Sequence, residues 1–456
     1  MDSTIQAAAD DYRRRFGWSA AEKNAFLKAL RSPPPPAIRL QRGTQREQLP
    51  FKLAPVPWYT SAFYWHEPYR PGTTRHFAAG SYYVQDAGST LALALLDPKP
   101  DEQIADLCAA PGGKATGILD RLGPAGFLLV NEPIRGRLGA LQLNLARQGT
   151  PRFVLSISDP ATLVSLGPIF DAVLLDVPCS GQSLGNRQRR LASAFAPSTV
   201  AHCAARQKRL LRCACRLVRP GGRLVYSTCT FAPEENENII TAFLEENTDW
   251  TVEPLPELDR WESPLLPGTY RLWPHVDQTA GAFGVRLRLQ DTANAGAVRG
   301  SPHEELRCGS RSHRRSPLLS VLEACGRLTP ADAWQSATAM FATDTLRPVE
   351  LDNPDWLGPE VAHRRGQTWF PSHALALRQS RDWQLAQICE LDDTQAACYL
   401  QGQPITPAPE GWSVATWRSR PLGWLKGSRS VGKNRLPKTA RLTEILRQEP
   451  PDPVSP

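Results

Sequence analysis

The chain has 456 residues, 41% hydrophobic and 21% charged, with a net charge of +8. That length exceeds one ordinary domain and predicts two or three, and the composition excludes a disordered or fibrous chain. No apolar run approaches the roughly 18–20 residues that cross a bilayer. Residues Met1 to Gly17 lack the apolar stretch of a signal peptide, and the acids Asp2, Asp10 and Asp11 argue against a transit peptide. Ten cysteines without a CxxC pair indicate neither a disulfide scaffold nor a zinc site. The expectation is a cytoplasmic, monomeric protein with reduced thiols, no membrane contact and no metal. Its basic balance is compatible with a polyanionic partner.

In chain order, Asp10 to Leu30 reads as a helix closed by Pro33 to Pro36, and an aromatic, β-prone stretch follows at Phe51–Leu53, Trp58–Tyr59 and Phe63–Trp65. Residues 1–79 are therefore read as a small α+β accessory domain. From Gly80 the pattern changes. Apolar runs at Ile104–Leu107, Phe127–Val130, Phe153–Ile157, Ala172–Leu175 and Leu224–Tyr226 alternate with helical segments near Lys114–Leu122, Arg135–Gln148, Thr199–Val218 and Glu234–Glu246. Buried parallel strands look like this, and the alternation predicts a Rossmann-like α/β domain over 80–290 with a mostly parallel sheet and ligands at the strands' carboxyl ends. The alternating segment Phe283–Leu289 predicts a last strand. Residues 291–316, rich in Gly, Ser, Arg and His, read as a linker, 317–446 as a third domain, and 447–456 as a disordered tail.

The first strand runs into Asp106-Leu107-Cys108-Ala109-Ala110-Pro111-Gly112-Gly113-Lys114, which opens a helix. Glycines there let backbone approach a ligand, and a helix N-terminus offers free N–H groups. Glu132 ends the second strand, where nucleotide-binding α/β folds use an acid against ribose hydroxyls. Asp159 follows the third strand, within reach of an adenine amino group, and Asp176 ends the fourth. The loop has neither GxGxxG nor GxxxxGK[ST] spacing, which disfavours NAD and ATP relative to S-adenosylmethionine.

Two cysteines stand at neighbouring strand ends, Cys179 in Asp176-Val177-Pro178-Cys179-Ser180-Gly181 and Cys229 in Ser227-Thr228-Cys229-Thr230. Packing accounts for Cys203, Cys213 and Cys215 on or near the long helix; it accounts poorly for two thiols opening onto one cleft beside a cofactor loop. Cytosine chemistry gives such a pair a purpose. Carbon 5 becomes nucleophilic only after a thiolate adds at carbon 6, and the carbon 5 proton must later leave for that thiol to be expelled.

Together Cys108–Lys114, Asp176–Gly181, Ser227–Thr230 and Pro233-Glu234-Glu235-Asn236 resemble the Nop/Sun-type RNA 5-methylcytosine methyltransferases. The resemblance implies Cys229 as nucleophile, Cys179 as the residue that releases product, and Cys108, Ala109, Ala110, Pro111, Gly112, Gly113, Lys114, Glu132, Asp159 and Asp176 as contacts of S-adenosylmethionine, Asp176 also facing the base. Gly80–Asp86 is similar to the segment these enzymes place before the first strand. Gly402, Gly411-Trp412, Pro421–Lys426, Lys433–Arg435 and Pro437 resemble the C-terminal PUA-like RNA-binding region of bacterial enzymes that modify small-subunit ribosomal RNA. By that resemblance the N-terminal domain also binds RNA, and the partner is small-subunit rRNA or the assembling subunit. Two departures stand out. Ile38–Gln41 lies where relatives usually have an asparagine, and Gln182–Arg190 replaces a common Arg-Lys pair.

Between Arg418 and Arg441 lie Arg420, Lys426, Arg429, Lys433, Arg435 and Lys438 and no acid, with Trp417 and Trp424 interleaved. The stretch is expected to grip RNA, its indoles stacking on bases. Competing readings are a transfer-RNA methyltransferase, a DNA or small-molecule methyltransferase, and a non-catalytic ribosome-assembly factor. DNA enzymes place the nucleophile in the Pro-Cys motif, a small-molecule enzyme needs no paired thiols, and a vestigial factor would tend to lose Cys229 or Asp176.

Overall fold

The computed structural model describes residues 2–187, 191–291, 322, 324–336, 338–344, 356–446 and 449–450. The linker and tail expected from the sequence lie outside these residues apart from Asp291, Glu449 and Pro450. Among the described residues no helix is long and apolar enough to cross a membrane, and no cluster of His, Cys, Asp and Glu suits a metal ion.

The N-terminal helix expected over Asp10–Leu30 is two helices, α1 (Ser3–Phe16) and α2 (Ala20–Ala29). The break has a local cause. Gly17 takes the left-handed conformation that ends α1, and Ser19 with Glu22 forms a reciprocal capping box that restarts the chain as α2. Next come β1 (Ala37–Leu40), β2 (Leu53–Pro55), β3 (Ala62–Trp65), the one-turn α3 (Arg75–Ala78) and β4 (Tyr82–Gln85), forming an antiparallel sheet in the order β2-β3-β1-β4. This first sheet thus reaches past Gly80.

The short helix α4 (Leu91–Leu96) leads into the central sheet. It is built from β5 (Gln103–Asp106), α5 (Gly113–Arg121), β6 (Phe127–Asn131), α6 (Leu138–Gln148), β7 (Phe153–Ser156), α7 (Pro160–Leu163), β8 (Phe170–Asp176), α8 (Leu191–Ala194), α9 (Pro197–Ala214), β9 (Val218–Thr228) and α10 (Glu237–Glu246). Strands β7-β6-β5-β8-β9 are parallel, and β10 (Trp250–Val252), β11 (Thr269–Leu272) and β12 (Ala282–Leu289) extend the β9 edge antiparallel. Ile104, Leu128, Leu129, Val173, Leu174 and Val225 have no exposed surface. Burying each Val, Leu or Ile side chain contributes about 1.5–3 kcal/mol, which is why near-continuous apolar runs become central strands. The order reverses at β5, so the loops after β5, β8 and β9 converge.

The C-terminal part holds β13 (Gly326–Leu328), β14 (Asp332–Gln335), β15 (Ala339–Thr343), β16 (Glu360–Arg365), β17 (Thr368–Pro371), β18 (Trp383–Leu385), β19 (Ile388–Glu390), β20 (Gly411–Trp417), β21 (Arg420–Ser428) and β22 (Val431–Asn434), with helices His373–Leu377 and Asp393–Leu400. It docks on the central sheet through Leu155, whose N–H and C=O both pair with Leu357, and through Gly149, whose carbonyl accepts from the Gln379 amide at 2.8 Å. Gly149 has φ +77°, and a Cβ there would approach the Leu377 carbonyl to 2.7 Å, so this junction requires glycine.

Candidate active site

Cys179 and Cys229 meet as expected of adjacent strand ends. Their Sγ atoms lie 2.9 Å apart, and the Cys229 amide donates to Cys179 Sγ at 3.3 Å. Both thiols are half-buried. The hydrogen bond to Cys229, together with burial, pushes the Cys179 thiol well above the ordinary range, which favours its protonated form.

Asp176 sits beside them with both oxygens engaged, one by Lys114 Nζ at 2.6 Å and the other by Ser227 Oγ at 2.7 Å. Burial works against the Lys114 ammonium, but Asp176 and Asp106 outweigh it and hold its pKa above the usual value. Lys114 also lies within electrostatic reach of Cys229.

The loop Cys108–Gly113 curls between β5 and α5. Ala109 N–H donates to Asn131 O, the Ala110–Pro111 peptide is cis, and Gly112 at φ +111° opens α5. A Cβ on Gly112 would meet Leu141 at 3.1 Å, so no larger residue fits that turn comfortably. Cys108 is buried and its thiol is pushed far up by burial, which makes it a wall rather than a reactive group. Glu132, 1% exposed, accepts from the amides of Ala110 (3.3 Å) and Ile134 (2.9 Å) and pairs with Arg137 at 3.1 Å. Asp159 is exposed, caps α7 through the Ala161 amide and forms a two-pronged pair with Arg209, which holds its carboxyl below the usual range. It stands at the outer end of the row rather than inside it.

Several residues here carried no role in the sequence reading. Asp106, fully buried, has carboxylate oxygens unpaired apart from an approach by the Cys108 amide. Burial and Asp176 raise its pKa to about 7. An unsatisfied acid beside a glycine turn and a helix N-terminus is a fit for a ligand carrying an ammonium group, as the methionine end of S-adenosylmethionine does. Its place as the last residue of β5, just ahead of the loop, was the available signal. Tyr12 on α1 donates to Gln182 Oε1 at 2.8 Å, and that oxygen also accepts from the Phe231 amide at 3.1 Å. The N-terminal helices are therefore bolted to the loops that follow both cysteines, a link no local pattern reveals. A cavity of about 300 Å³ lies elsewhere, between α6 and the C-terminal part, and none of the thiols or strand-end acids lines it.

The basic C-terminal stretch divides in two. Trp417 and Trp424 are buried, their indole N–H groups donating to Asp393 (2.8 Å) and the Ser372 carbonyl (2.7 Å), so they are core and not stacking platforms as expected. Arg420 turns away to Thr44 of the N-terminal unit. Toward the surface, Trp412 leans half-buried on Trp424, and Trp412, Lys426 and Lys433 stand side by side across β20, β21 and β22, Lys426 5.3 Å and Arg435 5.8 Å from the Trp412 ring. Lys426, Lys433 and Arg435 are exposed. Two lysines directly opposite one another destabilise a sheet, so this face gains from a polyanion.

Three family models match in sequence: the N-terminal domain of 16S rRNA methyltransferase RsmF over residues 10–87, 16S rRNA methyltransferase RsmB/F over 93–288, and the RsmF PUA domain over 386–442. A ribosomal RNA small subunit methyltransferase F from Salmonella paratyphi B is 30% identical over 416 residues, 85% of each chain. The chain belongs to the RsmB/F methyltransferase family. A relative of the same description from Serratia proteamaculans is 28% identical, over 85% of this chain and 84% of its own. Among solved structures, a methyltransferase homologue from Pyrococcus horikoshii superposes with a TM-score of 0.50 at 27% identity, covering 63% of this chain and 99% of that one. The NSun6 of Pyrococcus horikoshii, solved with SFG, shares the fold at a TM-score of 0.55 and 22% identity, over 62% of this chain and 97% of that one. Residues 289–385, which include β13 to β18, fall outside all three family models.

Proposed function

We propose that this enzyme methylates carbon 5 of a cytosine in 16S ribosomal RNA. The observation that carries the reading is the pair of thiols 2.9 Å apart at neighbouring strand ends, next to a glycine turn that suits S-adenosylmethionine. S-adenosylmethionine, when bound, supplies the methyl group. The protein's own residues do the rest.

Cys108 to Lys114 and Asp106 would hold the methionine end, Glu132 the ribose, and Asp159 the adenine edge once released from Arg209. Cys229 adds to carbon 6, and Asp176 stabilises the adduct from the N3 side of the base while Lys114 fixes its carboxylate. In the free enzyme the two sulfurs share a hydrogen bond. Once Cys229 becomes a thioether it no longer holds Cys179 in the protonated form, so Cys179 loses its proton to solvent and its thiolate takes the carbon 5 proton. The face of Trp412, Lys426, Lys433 and Arg435 grips the RNA away from the chemistry, and the names of the curated relatives support small-subunit rRNA as its source.

The test is methyl transfer from labelled S-adenosylmethionine to naked 16S rRNA, assembled small subunits and transfer RNA, followed by bisulfite sequencing. Label in 16S rRNA at one cytosine that resists conversion is expected. Label confined to transfer RNA overturns the substrate, and no transfer to any RNA returns the chain to a non-catalytic binding role.

A further inference from the structure

One buried carboxylate joins the two cysteine loops. Glu235, with no exposed surface, accepts from the Ser180 amide at 2.9 Å, from Ser180 Oγ, from Thr230 Oγ1 at 3.3 Å and from Gln207 Nε2 at 2.8 Å. Ser180 is the residue after Cys179, and Thr230 the residue after Cys229. The two hydroxyls also touch each other at 2.8 Å, and Gln207 on α9 reaches back to the Pro178 carbonyl. Glu235 itself is held by Tyr226, whose hydroxyl donates to its backbone carbonyl at 2.6 Å. A carboxylate is acceptor-only, and this one faces four donors from three separate elements; an isosteric amide would turn an N–H toward donors on one side or the other.

We infer that Glu235 is a positioning residue that sets the separation of the Cys179 and Cys229 sulfurs, and so the rate at which product leaves. The inference rests on the two-thiol reading above. In the step it governs, Cys179 thiolate takes the proton from carbon 5, the C–H electron pair re-forms the C5=C6 double bond, and the C6–Sγ bond breaks with its pair returning to Cys229. Proton transfer is steep in distance, and a displacement near 1 Å can cost about 100-fold. Adduct formation depends on Cys229 and the base and is less sensitive to where Cys179 lies.

Glu235→Gln is therefore expected to lower kcat about 10- to 100-fold while leaving the Kd for S-adenosylmethionine within about twofold of wild type. The covalent RNA adduct should accumulate on a denaturing gel. Glu235→Gln added to Cys179→Ala should cost nothing further, because both act on one step. Ser180→Ala and Thr230→Val, each removing one donor, should shift the kcat and the adduct in the same direction by less, and they decide the matter if Glu235→Gln does not fold. An unchanged kcat, or a lowered kcat without adduct, or full additivity with Cys179→Ala overturns the inference. Activity retained in Cys229→Ala overturns instead the reading on which it rests.

Discussion

The sulfurs of Cys179 and Cys229 touch across fifty residues of sequence, and the hydrogen bond between them makes the two thiols chemically unequal. On the proposed mechanism Cys229 is the thiol that attacks. Cys229→Ala should therefore abolish methyl transfer, by at least about 10³-fold, with S-adenosylmethionine affinity retained. Filter-bound label from the purified variant measures the first, isothermal titration the second. Transfer near the wild-type rate refutes the assignment.

Cys179→Ala should fail later in the cycle. Adduct forms and methyl transfers, but release stalls, so a nuclease-sensitive shifted band is expected on a denaturing gel. The band should vanish in the Cys179/Cys229 double variant. An active Cys179→Ala enzyme without a band removes Cys179 from the release step.

Asp106 gives a pH signature. Its folded pKa, about 7, lies above that of an exposed aspartate, so the fold favours the protonated form. Below about pH 4 folded and unfolded chains are both protonated there, and nothing is lost. Between about 4 and 7 the unfolded chain ionises first, and stability drains until pH passes the folded value. Asp106→Asn removes that penalty. Its gain in unfolding free energy over wild type should grow from near zero at pH 4 to a plateau above pH 7, on the order of 1–4 kcal/mol. Denaturant melts across that range check it, and a difference that shrinks with rising pH has the wrong sign. The same variant should bind S-adenosylmethionine less tightly.

On the C-terminal face, replacing Lys426, Lys433 and Arg435 by alanine should weaken RNA binding and reduce its salt slope by roughly 0.7–0.9 per lost phosphate contact. Trp412→Ala should cost about 1–3 kcal/mol of RNA affinity and, because Trp412 is only half-buried, destabilise the fold less than loss of a fully buried tryptophan. Trp417→Ala should do the reverse and lower stability by about 3–5 kcal/mol. Titrations at several salt concentrations, with melting curves, separate the two tryptophans. Equal behaviour would contradict the division of the stretch into core and face.

The central sheet was legible because its signal is local. Runs such as Phe127–Val130 have to be buried on both sides, and the acids and cysteines that follow each run are carried to the same edge by parallel order alone. What was not legible depends on which side of a strand faces the core. Trp412 and Trp417 differ in sequence only by position in an alternating pattern, and the fate of Trp417 was decided by Asp393 and the helix Asp393–Leu400 that covers its side of β20. The break at Gly17 was readable from Gly17, Ser19 and Glu22, whose capping signals outweigh the continuity of apolar residues across them. Tyr12, Gln182 and Glu235 act through contacts between distant segments, and Glu235 stood inside a recognised motif without any hint of what it would hold.

The three parts of the chain each touch the other two. Tyr12 reaches Gln182, Gly149 receives Gln379, and Arg420 grips Thr44. These contacts tie each part to the other two, so the span from the Lys426 face to the Cys229 sulfur is expected to vary little. If the Lys426 face grips RNA and Cys229 attacks, as proposed, an insertion or deletion in the intervening RNA should silence a site whose own sequence is unchanged.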